Sequence, residues 1–296
     1  MTRSKQRVLV TGARGQLGAA LQRSAPPDVE IVALDHAQLD IADGKAVHEA
    51  VARARPALIV NAAAYTAVDN AEREREKAFA VNAAAPGFLA EASIAHGARL
   101  IHVSTDYVFD GAKATPYAPG DAAGPVNVYG ESKLAGERAV MQASAGRALI
   151  VRSAWIYASE GRNFLNTMRR LLHQRPEVRV VDDQFGAPTH AASLARALWR
   201  WADKPEASGL RHWTDAGVTS WFGFASAIRN ALARAEPEAR LATVVPIPTS
   251  EYPTPAPRPA RAVLDCSGSY LEIGAAAAWD TELRQCLAEQ LRRPNP

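Results

Sequence analysis

The chain has 296 residues, 48% apolar and 22% charged, a globular composition that excludes intrinsic disorder. Its 34 basic and 31 acidic residues leave a net charge of +3, with no run of five or six like charges, so no nucleic-acid partner is expected. No stretch approaches the ~18 apolar residues of a membrane span, "MTRSKQR" runs into "VLVTG" without a secretion signal, and Cys266 and Cys286 make no disulfide framework, so a cytoplasmic protein is expected.

Short apolar runs alternate with helical patterns through the first half. Strands are predicted at "RVLV" (7–10), "VEIVALD" (29–35), "ALIVNAAA" (57–64), "ARLIHVST" (98–105) and "RALIVRS" (147–153). Helices fall between them: near Gly15 to Arg23, then 44–54, 82–97 and 130–143. Val, Ile and Leu without alternation indicate strands covered on both faces, hence a parallel sheet with helical crossovers. The second half is less regular. "FLNTMRRLLHQ" (164–174) and "SWFGFASAIRNALARA" (220–235) read as helices and "EVRVVD" (177–182) as a strand. "PIPTSEYPTPAPRPARA" (246–262) reads by composition as an extended linker. "EREREK" (72–77) alternates in sign and reads as a solvated helix face.

"VLVTGARGQLG" sets Gly12, Gly15 and Gly18 between a strand and a helix. The first allows a tight turn, the second lets backbone approach a pyrophosphate, and the third lets the helix lie close to the sheet. Phosphates then meet the amide-rich end of that helix. The fold class is therefore α/β, a Rossmann-type doubly wound parallel sheet over residues 5–175. A smaller C-terminal substrate-binding lobe, 176–296, is expected to interleave with it through "VRVVD". Asp35 ends the second strand, where an acid accepts ribose hydroxyls and repels a 2′-phosphate, or else caps a turn. Arg14, inside the loop, is suited to a phosphate. Asp40 is a second acid nearby. The cofactor is expected to be NADH or NADPH.

In "NVYGESKLAGE" Tyr129 and Lys133 stand four apart, on one face of a helix. Seven tyrosines and six lysines would give about 0.14 such pairs by chance, so the pair alone decides little. Thr105, at the end of the fourth strand, lies where doubly wound sheets bind ligands. Together these side chains suit carbonyl reduction: a tyrosine to give a proton, a lysine to support the phenolate and orient a nicotinamide ribose, and a threonine to hold the carbonyl oxygen. Bringing a tyrosine from about 10 to neutral pH takes about 4 kcal/mol of preferential support for the phenolate.

These blocks resemble the extended short-chain dehydrogenase/reductases, and within them the dTDP-4-dehydrorhamnose reductase family. The resemblance runs along nearly the whole chain. It rests on "NAAAYTAVDNAE" (61–72), "STDYVFDG" (104–111), "PVNVYGESKLAGE" (125–137), "VRSAWIYASEGRNF" (151–164), "VVDDQFGAPT" (180–189) and "YPTPAPRPA" (252–260). The last two are more specific than the glycine loop, and they make the proline-rich stretch a family element. The resemblance implies reduction of dTDP-4-dehydro-L-rhamnose to dTDP-L-rhamnose by NAD(P)H, with the sugar nucleotide between sheet and lobe. It implies Tyr129 as proton donor, Lys133 as its partner and Thr105 as the third member. Gly15, Gln16 and Leu17 would meet the pyrophosphate, Asp40 and Ile41 the adenine, and Ala63, Ala64 and Tyr65 the cofactor side of the sheet. Ser104, Thr105 and Trp155 would meet the sugar. Asn82 would brace the proton path or cap a helix.

Some family members bind magnesium through glutamates at a dimer interface. Ala20 and Ala192 stand at the corresponding positions here, leaving only Glu289, so no metal is expected. A monomer or weak homodimer follows. Two other functions fit the same blocks. A sugar-nucleotide epimerase shares the glycine loop and the Tyr–Lys pair. A non-catalytic subunit like the regulatory subunit of methionine adenosyltransferase shares the fold. A dehydratase would follow the threonine with Asp-Glu, and here Asp106 precedes Tyr107.

Overall fold

The computed structural model describes residues 6–292; the first five and last four residues, including most of "MTRSKQR", lie outside. The apolar runs form β1 (Gln6–Thr11), β2 (Val29–Leu34), β3 (Leu58–Asn61), β4 (Arg99–Thr105) and β5 (Leu149–Ser153). With a sixth strand, Gly209–His212, they make one sheet in the order sixth–β5–β4–β3–β1–β2, every pair parallel. The order reverses between β1 and β3. That is the switch point at which a doubly wound sheet opens a crevice at its carboxyl edge.

Two helical layers cover the sheet. On one face, α1 (Gln16–Arg23) packs with the helix Ala191–Ala202, joining Leu17, Ala20 and Leu21 to Ala191, Leu194 and Leu198. On the other lie α2 (Gly44–Ala54), the continuous helix Arg75–Ala95, and Val128–Ala143. The helix Arg75–Ala95 has 21 residues and a mean hydropathy of 1.3, so it reaches span length, contrary to the expectation from the sequence. Its Ala85, Leu89, Ala90 and Ala92 are fully buried in the same cluster as Ile59, Leu100 and Ile150 of the sheet. It is a core helix, apolar because one flank faces strands and the others face helices.

The smaller lobe has its own core, built from the helices Phe164–Gln174, Trp221–Ala235 and Trp279–Arg292. "VRVVD" does not return to the main sheet. Glu177–Val181 pairs in parallel with Thr243–Ile247 in a separate two-stranded sheet. Its exposure alternates, so only one face is covered, unlike a central strand of the large sheet. The segment that does return is "GLRH" (209–212), which begins at Gly209 with φ 77° and lacks a β-branched run. Nothing in its composition marks it as a strand; pairing with β5 makes it one.

The proline-rich stretch is built into the molecule. Asn127 Nδ2 donates to Pro257 O at 2.8 Å, and Arg258 pairs with Asp69 at 2.8 Å.

Candidate active site

A cleft of about 720 Å³ opens at the carboxyl ends of β1, β3, β4 and β5. Gly15, Gln16, Leu17, Ala63 and Ala64 line one part of it, and Ser104, Thr105, Tyr129, Lys133 and Trp155 another. Of the other predicted residues, Gly12 and Gly18 shape the cradle from beneath. Gly12 has φ 70°, and a Cβ there would stand 2.8 Å from the backbone of Ala62 and Ala63. A Cβ on Gly18 would stand 2.2 Å from Gly12 O. At Gly15, the N-cap of α1, a Cβ would meet only Gly12 O, at 3.1 Å. No side chain caps that helix, and no acid sits in its first turn. Its first amides are thus suited to an anionic phosphate, and the residues fit a dinucleotide.

Asp35, Asp40, Ile41 and Tyr65 lie outside the lining of the cleft. Asp35 Oδ1 accepts the N–H groups of Ala37 (2.9 Å) and Gln38 (3.1 Å), which is turn chemistry. Its Oδ2 pairs with Arg14 Nε at 2.7 Å, so the two groups read separately from the sequence form one ion pair. Asp40 is exposed and accepts from Ala42 N, while Ile41 is buried in the core beside α2. Asn82 caps no helix. It sits in a π-helical turn, Ala80–Ala84, and clamps the Tyr65 backbone: Oδ1 accepts from Tyr65 N, and Nδ2 donates to Tyr65 O and to Ser132 Oγ.

The Tyr129 helix starts at Asn127, whose side chain accepts from Gly130 N at 2.8 Å. Gly130 lets it press on the turn after β4, because a Cβ there would stand 2.2 Å from Tyr107 O. Tyr129 therefore meets the Tyr107 ring edge-on, with centroids 5.5 Å apart. One turn later Lys133 is 2% exposed, and its Nζ donates to Val103 O at 2.8 Å. Burial lowers Lys133 to about 8, with Glu137 acting against it. Burial raises Tyr129 to about 12, the Thr105 hydroxyl acts the other way, and Asp106 adds to the rise. Desolvation of the phenolate outweighs the support from its neighbours, and Lys133 directs a hydrogen to a carbonyl.

Thr105 Oγ1 donates to Asp106 Oδ1 at 3.0 Å and accepts from Tyr107 N at 3.2 Å. Asp106 is 3% exposed and raised by burial to about 7. The hydroxyls of Ser104 and Ser153 are buried, line the cleft and have no protein partner, so they can take a polar ligand. Ser153 ends β5 as Thr105 ends β4, and the same strand-end rule would have found it. Trp221 was not legible. It stacks on Trp155, with centroids 3.5 Å and planes 7° apart, and it arrives from the other lobe. Trp155 itself has φ 46° and lies on Gly186, where a Cβ would stand 2.5 Å from its ring.

The family model described as the RmlD substrate binding domain matches residues 6–292. A dTDP-4-dehydrorhamnose reductase of Burkholderia thailandensis is 47% identical over 269 residues, covering 87% of this chain and 90% of that protein. This chain belongs to the dTDP-4-dehydrorhamnose reductase family. A Shigella flexneri reductase of that family is 44% identical over 260 residues, covering 85% and 87% of the two chains. The crystal structure of the Bacillus anthracis reductase in complex with NADP superposes with a TM-score of 0.91 at 36% identity, covering 96% of this chain and 99% of that one. The family's reductase fold thus extends over both lobes here.

Proposed function

We propose that the chain reduces the 4-keto group of dTDP-4-dehydro-L-rhamnose to give dTDP-L-rhamnose, with NADH or NADPH as reductant. The observation that carries this is the convergence of Tyr129, Lys133 and Thr105 in one cleft with the Gly15 cradle. The nicotinamide, when bound, supplies a hydride to the carbonyl carbon. The residues of the chain do the rest. Amides at the start of α1 hold the pyrophosphate. Tyr129 gives its phenolic proton to the carbonyl oxygen; its raised pKa keeps that proton in place until hydride transfer begins. Lys133 supports the phenolate that remains. Ser104 and Thr105 orient the sugar, and the Trp155–Trp221 pair gives it an apolar wall.

The Arg14–Asp35 ion pair bears on the choice of cofactor. Asp35 suits ribose hydroxyls, and Arg14, 85% exposed, is free to swing to a 2′-phosphate. Use of both dinucleotides follows. Asp40 and Ile41 would flank the adenine side. In this reading the protein is cytoplasmic and works as a monomer or weak homodimer.

The test is loss of NADH and NADPH absorbance on adding dTDP-4-dehydro-L-rhamnose, made from its precursor by a coupled 3,5-epimerase. Stoichiometric oxidation is expected. Folded protein that binds cofactor but oxidises none of it would overturn the reading, in favour of an epimerase if NAD co-purifies and of a binding subunit if a partner does.

A further inference from the structure

A polar chain continues from Lys133 across the carboxyl ends of β4, β3 and β1, on the sheet face that the Lys133 helix covers. Asn61 ends β3 and is 1% exposed. Its Oδ1 accepts the Ala63 N–H at 3.1 Å and the Thr11 hydroxyl at 2.7 Å. A peptide N–H only donates, so the amide oxygen must face Ala63 and the amide nitrogen must face the other way. That nitrogen lies 3.0 Å from His102 Nδ1. Nδ1 is therefore an acceptor. His102 is fully buried in β4, and burial together with Lys133 holds it well below its usual pKa, so the ring is neutral. A neutral imidazole that accepts at Nδ1 carries its proton on Nε2. Nε2 stands 3.4 Å from Lys133 Nζ. An ammonium has three donors and no lone pair, so it cannot receive that N–H. A neutral amine can, while still donating to Val103 O.

We propose that His102 is a positioning residue for the reaction: locked by Asn61 and Thr11 as the Nε2–H tautomer, it donates to Lys133 and favours the uncharged lysine. The proposal rests on Lys133 serving Tyr129. Other ionisable groups near the lysine are few. Glu137, one turn along, favours the ammonium, but its carboxylate is engaged in a buried two-point pair with Arg152 of β5, at 2.8 and 2.6 Å. Tyr129 lies one turn back, and Asp106 lies past Thr105 at the end of β4. From β3 only the neutral Asn61 reaches this region.

Lys133 thereby becomes a switch within the working range. Its ammonium supports the Tyr129 phenolate below about 8, and that support fades as pH rises through this value. Turnover acquires a basic limb there, and loss of the His102 donor moves the limb upward.

The experiment is an NMR titration of the full chain labelled at lysine 13Cε. The chain has six lysines, and Lys133 is assigned by the signal missing in Lys133→Met. That signal is expected to titrate near pH 8. In His102→Met the Lys133 midpoint should rise by about one unit, a tenfold change, with the other five unmoved and the basic limb of kcat/KM following. A merely structural histidine would lower Tm and leave that midpoint alone. A wild-type Lys133 midpoint at the reference lysine value of about 10.4, or an unmoved midpoint in the variant, would overturn the proposal. If His102→Met does not fold, long-range 1H–15N spectra of the wild type decide: a proton on Nδ1 of His102 refutes the tautomer. The titration reads the lysine without turnover, so its outcome is independent of whether the sugar substrate is correctly named.

Discussion

Tyr129 has its ring against the edge of Tyr107, in the turn after β4, and its hydroxyl beside Thr105, the last residue of β4. Removing that hydroxyl should remove the proton and little else. Tyr129→Phe is expected to lower kcat by about 10²–10⁴-fold while leaving the Kd for NADH nearly unchanged, measured by steady-state kinetics and cofactor fluorescence. Unchanged kcat would end the proton-donor role. Asp106 supplies a pH prediction. Its folded pKa, about 7, is raised above that of the unfolded chain, about 3.9. The folded protein binds that proton more tightly, so the stability it confers is complete below about 3.9 and is lost as pH rises through 7. Asp106→Asn is neutral throughout. It should raise Tm at pH 8 and converge with the wild type at pH 4, by scanning calorimetry. An equal shift at both pH values would show that burial of charge is not the cause.

At the scale of elements, glycines set how closely the Tyr129 helix approaches its neighbours. Gly130 meets the Tyr107 carbonyl, and Gly136 meets the Asn82 carbonyl in the π-helical turn, where a Cβ would stand 2.0 Å away. Gly130→Ala forces backbone to move, at a cost of about 1–3 kcal/mol, and draws Tyr129 away from Thr105. Kinetics should show kcat falling more than KM changes, with Tm lowered. A variant with normal kcat would show that the close approach is not needed for catalysis. The "YGESK" block was legible as a Tyr–Lys spacing. The reason for its glycine was not, because Tyr107 lies 23 residues before Gly130 and nothing local marks the contact. The proline-rich stretch shows the same limit. Its composition reads as a linker, yet Pro257 and Arg258 tie it to Asn127 and Asp69.

At the scale of the whole molecule, the cleft lies between two cores, and the smaller core is built from three separate stretches of the chain. Trp155 follows β5, Trp221 begins a helix of the smaller lobe, and the two stack across the cleft. Ala20 is 1% exposed, within the contact between α1 and the helix Ala191–Ala202, and Ala192 lies on that second helix. Neither position offers an oxygen ligand, so the proposed assembly is independent of divalent cations. Light scattering should return the same mass in EDTA as in millimolar magnesium. A mass that falls by half in EDTA would establish a metal-linked dimer by another set of ligands.

The sequence by itself determined the layered α/β fold, since continuous Val, Ile and Leu runs separated by helical patterns have few other solutions. It also determined the glycine cradle and the Tyr129, Lys133 and Thr105 set, because turn sterics and helix periodicity are local rules. Only the tertiary structure decided which segment completed the sheet, since "GLRH" becomes a strand through its pairing with β5. It also decided that Arg14 and Asp35 neutralise each other, that Trp221 meets Trp155, and that His102 stands behind Lys133. Each of these joins residues distant in the chain, and the protonation of the buried groups follows from what surrounds them in space.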